Sequence, residues 1–176
     1  QGFMDELIAE AGRDPSLKLK TVLTILDSRY GSPRLGNFDD PLDELFFILL
    51  SLKTSFRTYE AVYVRLKAEF YPWSKLLKTE SDEVVSFIQR GGLGTIKARA
   101  FVDIARRLQK DFGSVSLDAL RTWTPQQTEE YLCSLPGVGK KTARCVQMYS
   151  LGHPVLPVDT HTYRVGVRLG LVPSSV

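Results

Sequence analysis

The chain has little of what metal centres and membrane spans require. Cysteine occurs twice among 176 residues, and histidine twice. Cys133 and Cys145 lie too far apart for the close ligand spacing of a zinc site. Two thiols also cannot hold an iron–sulfur cluster, which takes four ligands. Their expected role is to pack as small apolar side chains in a reducing compartment. Long apolar runs are missing too, since the best candidate, Leu45–Leu52, is far too short to cross a bilayer. No basic stretch leads into an apolar one near the N-terminus, so no secretory signal is expected. No internal repeat or low-complexity tract is visible. No segment alternates apolar and polar residues with hairpin signals, so no sheet of consequence is expected.

What is present is ordinary in amount and uneven in placement. The length suits one compact body or two small lobes sharing a core. The net charge is +3. From Leu135 onward, Lys140, Lys141, Arg144, Arg164 and Arg168 face one acid, Asp159. A basic segment on a near-neutral body suits a polyanionic partner.

The apolar pattern is helical nearly throughout. Asp40-Pro41-Leu42-Asp43 has the form of a helix start, with an acidic cap and proline in the first turn. Leu42, Leu45, Phe46, Leu49 and Leu50 follow at helical spacing. Phe47 and Ile48 make the segment apolar all round, which predicts a buried central helix. Further helices are expected over Leu17–Tyr30, Phe56–Phe70, from Ser81 to the Gly91-Gly92 stop, and from Thr95 to Phe112. The last carries a stripe of Ile96, Ala100, Ile104 and Leu108. Asp5–Ala11 reads as a short helix and Ser32–Asp39 as a linker. Thr124-Pro125-Gln126-Gln127 reads as a capping box opening a helix that reaches about Ser134. Tyr59, Tyr63, Phe70, Tyr71, Trp73 and Trp123 are assigned to packing.

Leu135-Pro136-Gly137-Val138-Gly139-Lys140-Lys141-Thr142-Ala143 lies between two of these helices. Pro136 cannot continue the first. Gly137 and Gly139 permit positive φ and leave the backbone bare. Leu135 and Val138 can bury between the helices and fix their angle. The second helix then starts near Lys140 and presents unbonded N–H groups with the positive end of its dipole. That combination is an anion site. A DNA phosphate fits it, in a contact blind to base sequence.

This segment resembles the helix-hairpin-helix of the endonuclease III family of DNA glycosylases. Gly152-His153-Pro154-Val155-Leu156-Pro157 is similar to the family's Gly/Pro-rich loop, and Val158-Asp159-Thr160-His161 to its Val-Asp-Thr-His. Gly92-Leu93-Gly94 and Lys97-Ala98 add weaker support. The resemblance runs from about Asp40 to Pro173, and the aspartate eighteen residues beyond Lys141 makes it more specific than a hairpin alone. It implies an all-α, two-lobed fold with the active-site cleft between the lobes. One lobe would be 36–152, ending in the hairpin. The other would combine 1–35 with 153–176. It implies double-stranded DNA as partner, a monomer with no membrane attachment, and a cytoplasmic, nucleoid-associated or nuclear location. No cofactor is expected within this chain. The family often carries a 4Fe-4S cluster on four cysteines beyond the point matched by Val176.

The resemblance also implies chemistry. Removing a base builds positive charge on the sugar, which a nucleophile can attack at C1′ and a carboxylate can stabilise. Lys141 is the expected nucleophile. It must lose its proton, and a helix N-terminus, Lys140 and Arg144 all disfavour its charge. Asp159 is the expected carboxylate, capping the helix Thr160–Leu169. An imine on the sugar then permits β-elimination, so a bifunctional glycosylase and lyase acting on a damaged or modified pyrimidine is implied. A non-catalytic DNA-binding module and a glycosylase without lyase activity stay open beside it. Expected DNA contacts are Leu135, Gly137, Val138, Gly139, Lys140, Thr142, Lys53 and Arg164. Lys53 stands where the family commonly has a glutamine that fills the gap left by the flipped nucleotide. Ile48 stands where the adenine-removing branch has a catalytic glutamate. That branch lacks the lysine found here at 141. His161 and His153 are read as structural and loop residues.

Overall fold

A computed structural model describes residues 12, 14–31, 36–88 and 94–173. Among these there are helices and turns but no strand. The expected Asp5–Ala11 helix, the Gly91-Gly92 stop and the first half of the Ser32–Asp39 linker lie outside the described residues. The chain divides into two compact units, Asn37–Pro157 and a second formed by Gln1–Gly36 with Val158–Val176.

The larger unit is built round α2 (Pro41–Ser51). Asp40 caps it, its Oδ1 accepting the N–H groups of Leu42 and Asp43 at 2.8 Å each. Leu42, Leu45, Phe46, Leu49 and Leu50 are buried, each contributing about 1.5–3 kcal/mol of transfer free energy. Around α2 pack α3 (Phe56–Phe70), α5 (Gly94–Phe112) and α7 (Lys140–Ser150). Outside these, α4 (Ser81–Ile88) lies on α5, and α6 (Pro125–Cys133) lies on α7. Short 3₁₀ turns at Trp73–Lys78 and Asp118–Thr122 were not legible in the pattern. The capping box at Thr124 and Gln127 forms as expected.

Three details depart from the sequence reading. α2 is not apolar all round, because Asp43 and Glu44 are buried within it. Asp43 is satisfied there: Trp73 Nε1 donates to one oxygen at 2.7 Å and Lys67 Nζ to the other at 2.6 Å. Glu44 accepts from Asn37 Nδ2 at 2.7 Å and Phe38 N–H at 2.9 Å, tying the entry segment to the helix. Ile96 is 66% exposed, and the buried stripe of α5 begins instead with Lys97, 5% exposed. Tyr71 is exposed, whereas Tyr63, Phe70 and Trp73 are in the core. Trp73 packs edge-on against Phe46, which stacks on Phe101.

In the second unit, α1 (Pro15–Tyr30) is capped by Asp14 and closed by Gly31 at φ 64°. α8 (Thr160–Arg168) begins at the Asp159 cap. Leu169 and Arg168 line a cleft of about 340 Å³ with Lys18, Thr21, Val22 and Ile25.

Candidate active site

The hairpin connects α6 to α7. Leu132 C=O accepts Leu135 N–H at 3.1 Å, and Leu135 C=O accepts Val138 N–H at 3.2 Å. Leu135 and Val138 are buried, as an anchor between two helices requires. Gly137 has φ 76°, a left-handed conformation that favours glycine. A Cβ there would touch Ala100 and Leu49 at ordinary contact distance. The two glycines have separate tasks, for Gly139 sits at φ −99° and ψ 173° as the N-cap of α7. A Cβ on Gly139 would meet nothing within 4 Å, so its lack of a side chain keeps the helix end bare.

The first helical bond of α7 runs from Ala143 N–H to Gly139 C=O at 2.9 Å. The backbone N–H groups of Lys140, Lys141 and Thr142 precede it and point toward the helix's amino end. Such N–H groups, with the positive end of the dipole, are the kind of helix end that favours an anion. The side chains of Lys140 and Lys141 are exposed, while that of Thr142 is buried. Of Thr142 only the backbone is therefore available at this helix end.

Arg144 is tied down. Its Nε donates to Glu129 Oε2 at 2.6 Å, bridging α7 to α6. Each group holds the other charged: Arg144 keeps the Glu129 carboxyl below its ordinary range, and Glu129 raises the guanidinium. Of the two cations expected to press on Lys141, one is thus compensated. An open cavity of about 500 Å³ lies beside this pair, lined also by Gln126, Lys140 and Val155.

Asp159 caps α8, its Oδ1 accepting the N–H of Thr162 at 2.8 Å and its hydroxyl at 3.0 Å. The loop leading to it is held on α7. Gln147 C=O accepts His153 N–H at 3.0 Å, and Gln147 Oε1 lies 3.1 Å from His153 Nδ1. Arg164 and His161 are exposed on α8. Lys141 belongs to the Asn37–Pro157 unit and Asp159 to the other. Lys53 is exposed in the turn after α2, at φ 56°.

Among the described residues no group of three His, Cys, Asp or Glu is arranged to hold a metal ion. The cluster that the resembling family often carries needs four thiolates. Buried Cys145 and half-buried Cys133 do not form such a site. Among the described residues no helix is long and apolar enough to cross a membrane. Sequence reasoning did not assign a task to Lys97, whose ammonium donates to Leu50 C=O, Leu52 C=O and Thr54 Oγ1. The signal was available, because Lys97 shares the α5 stripe with Phe101, Ile104 and Leu108 at helical spacing.

No protein-family model matches the chain. Curated proteins do. It is 37% identical over 134 residues to a putative DNA glycosylase of Arabidopsis thaliana, covering 76% of this chain and 46% of that protein. It is 32% identical over 140 residues to endonuclease III of Thermotoga maritima, covering 80% of this chain and 62% of that protein. The chain therefore spans less than two thirds of either relative. Among solved structures, a trapped endonuclease III–DNA covalent intermediate matches with a TM-score of 0.76 at 24% identity, covering 90% of this chain and 71% of that one. The all-helical architecture is thus the endonuclease III-like helix-hairpin-helix glycosylase fold.

Proposed function

We propose that this chain, a relative of endonuclease III by sequence and by fold, is a DNA glycosylase that also acts as an abasic-site lyase. The observation carrying this reading is the start of α7. An exposed lysine, Lys141, stands in the first turn of a helix capped by a glycine with no side-chain cap bond, the kind of helix end that favours a phosphate. A phosphate contact needs neither that lysine nor the aspartate cap at 159, whereas base excision coupled to strand cleavage through an imine would use both.

In the proposed reaction, duplex DNA lies on the hairpin through the N–H groups of its first helical turn, with Lys140 and Arg164 adding charge. A modified pyrimidine leaves the stack. The neutral Lys141 amine attacks C1′ as the C1′–N bond breaks, and the base departs with the bonding pair. The Asp159 carboxylate stabilises the sugar cation and takes a proton from Lys141. The C1′–O4′ bond then breaks as the nitrogen lone pair forms an iminium with C1′, and O4′ takes up the proton held by Asp159. Loss of a C2′ proton and of the 3′-phosphate oxygen cuts the strand by β-elimination.

The test is borohydride trapping on abasic-site duplex. Wild type should yield a covalent adduct, and Lys141→Ala should yield none. Asp159→Asn should slow base removal about 10²–10³-fold, the range for losing one electrostatic partner in the transition state. Base removal that survives Lys141→Ala would mean a glycosylase without lyase activity. DNA binding without base removal on any modified duplex would mean a non-catalytic module.

A further inference from the structure

One end of the Asn37–Pro157 unit is organised by two neighbouring turns of α5. Lys97 is 5% exposed, although lysine is almost never buried without partners. Its ammonium donates to Leu50 C=O and Leu52 C=O at 2.8 Å each, and to Thr54 Oγ1 at 3.1 Å. These carbonyls end α2, so Lys97 is a C-terminal cap delivered from another helix, the end where a cation is favoured. One turn further along α5, Ala100 backs Gly137 of the hairpin, together with Leu49 of α2. The same two helices therefore support both the phosphate-binding turn and the turn that follows α2.

Between the two acceptors of that second turn lies Lys53. Among the described residues it is the non-glycine residue with positive φ. Its backbone is gripped on both sides, through Leu52 C=O before it and Thr54 Oγ1 after it. Thr54 N–H also donates to Ser51 C=O at 3.1 Å. A left-handed residue with a side chain costs about 1–2 kcal/mol, and such strain persists where the surroundings over-determine it, often at ligand clamps. The Lys53 side chain stands exposed, a donor with three protons and no acceptor.

We propose that Lys97 is a positioning residue: it locks the Leu52–Thr54 turn so that the Lys53 ammonium meets a phosphate of the DNA held by the hairpin. The proposal rests on the reading that this chain binds DNA. Lys97 itself is inside the protein and touches no DNA, so its effect must pass through the turn.

The experiment measures affinity against salt concentration for a duplex carrying one tetrahydrofuran abasic analogue. Each lost phosphate contact lowers the log–log salt slope by about 0.9. Lys53→Met should lower it by about that amount. Lys97→Met should do the same, and the double variant should fall no further. Thr54→Val removes an acceptor without removing a charge and should shift the slope in the same direction. Additive losses from Lys53→Met and Lys97→Met overturn the proposal. So does a Lys53→Met slope equal to wild type. If Lys97→Met does not fold, as judged by circular dichroism, a wild-type slope for Thr54→Val overturns it instead. Wild-type binding that is absent, or that does not weaken with salt, overturns the underlying DNA-contact reading.

Discussion

Gly137 and Gly139 differ by two positions and by physical task. Gly137 sits at φ 76° with room for a Cβ against Ala100 and Leu49. The cost of Gly137→Ala is therefore conformational, about 1–2 kcal/mol, visible as a lowered urea midpoint with unchanged slope. Gly139 has an ordinary negative φ and open space around the missing Cβ. Gly139→Ala should change stability by less than about 0.5 kcal/mol yet weaken DNA binding, because the methyl group would stand at the helix end where the proposed phosphate contact forms. Equal stability losses in the two variants would contradict this division. The sequence showed a glycine turn with buried Leu135 and Val138. It could not show which glycine needed positive φ, because that depends on where the first α7 bond closes. Lys97 was hidden for a related reason: a lysine in a helix is read as surface unless its acceptors, from residues more than forty positions away, are known.

At the scale of elements, α2 is where the pattern was most informative and still incomplete. Its cap, its start and its apolar face were legible from Asp40 onward. The two carboxylates were not, since Asp43 and Glu44 resemble the acidic first turn of any exposed helix. Only tertiary packing buries them. Burial pushes the Glu44 carboxyl above its ordinary range despite the hydrogen bonds from Phe38 and Asn37, which oppose it. The linkage sign follows from that direction. A carboxyl whose folded pKa is raised contributes most below its unfolded pKa, and that contribution is lost as pH rises through the folded value. Glu44→Gln does not titrate. The stability of the variant relative to wild type should therefore increase as pH rises above the ordinary glutamate range. Urea titrations at several pH values measure it. A difference that is flat or falls with pH would mean that the hydrogen bonds outweigh the burial.

At the scale of the molecule, burial is divided unevenly between the two units. The described core cluster, from Leu42 to Val146, lies wholly within Asn37–Pro157. In the other unit α1 buries Thr21 alone, and α8 buries no residue. Leu19, Leu23, Leu26 and Val165 are exposed there. Local opening should therefore be cheapest in α1 and α8 and dearest in α2, α5 and α7. Hydrogen exchange read by mass spectrometry should rank amide protection in that order in the free protein. The same measurement bears on the chemistry. A ligand that binds only the folded form suppresses the openings of every segment it holds. Adding duplex with a tetrahydrofuran abasic analogue should then slow exchange at the hairpin and, if Asp159 acts on the sugar, at the first turn of α8 as well. Protection confined to the hairpin would leave DNA binding intact and remove Asp159 from the reaction.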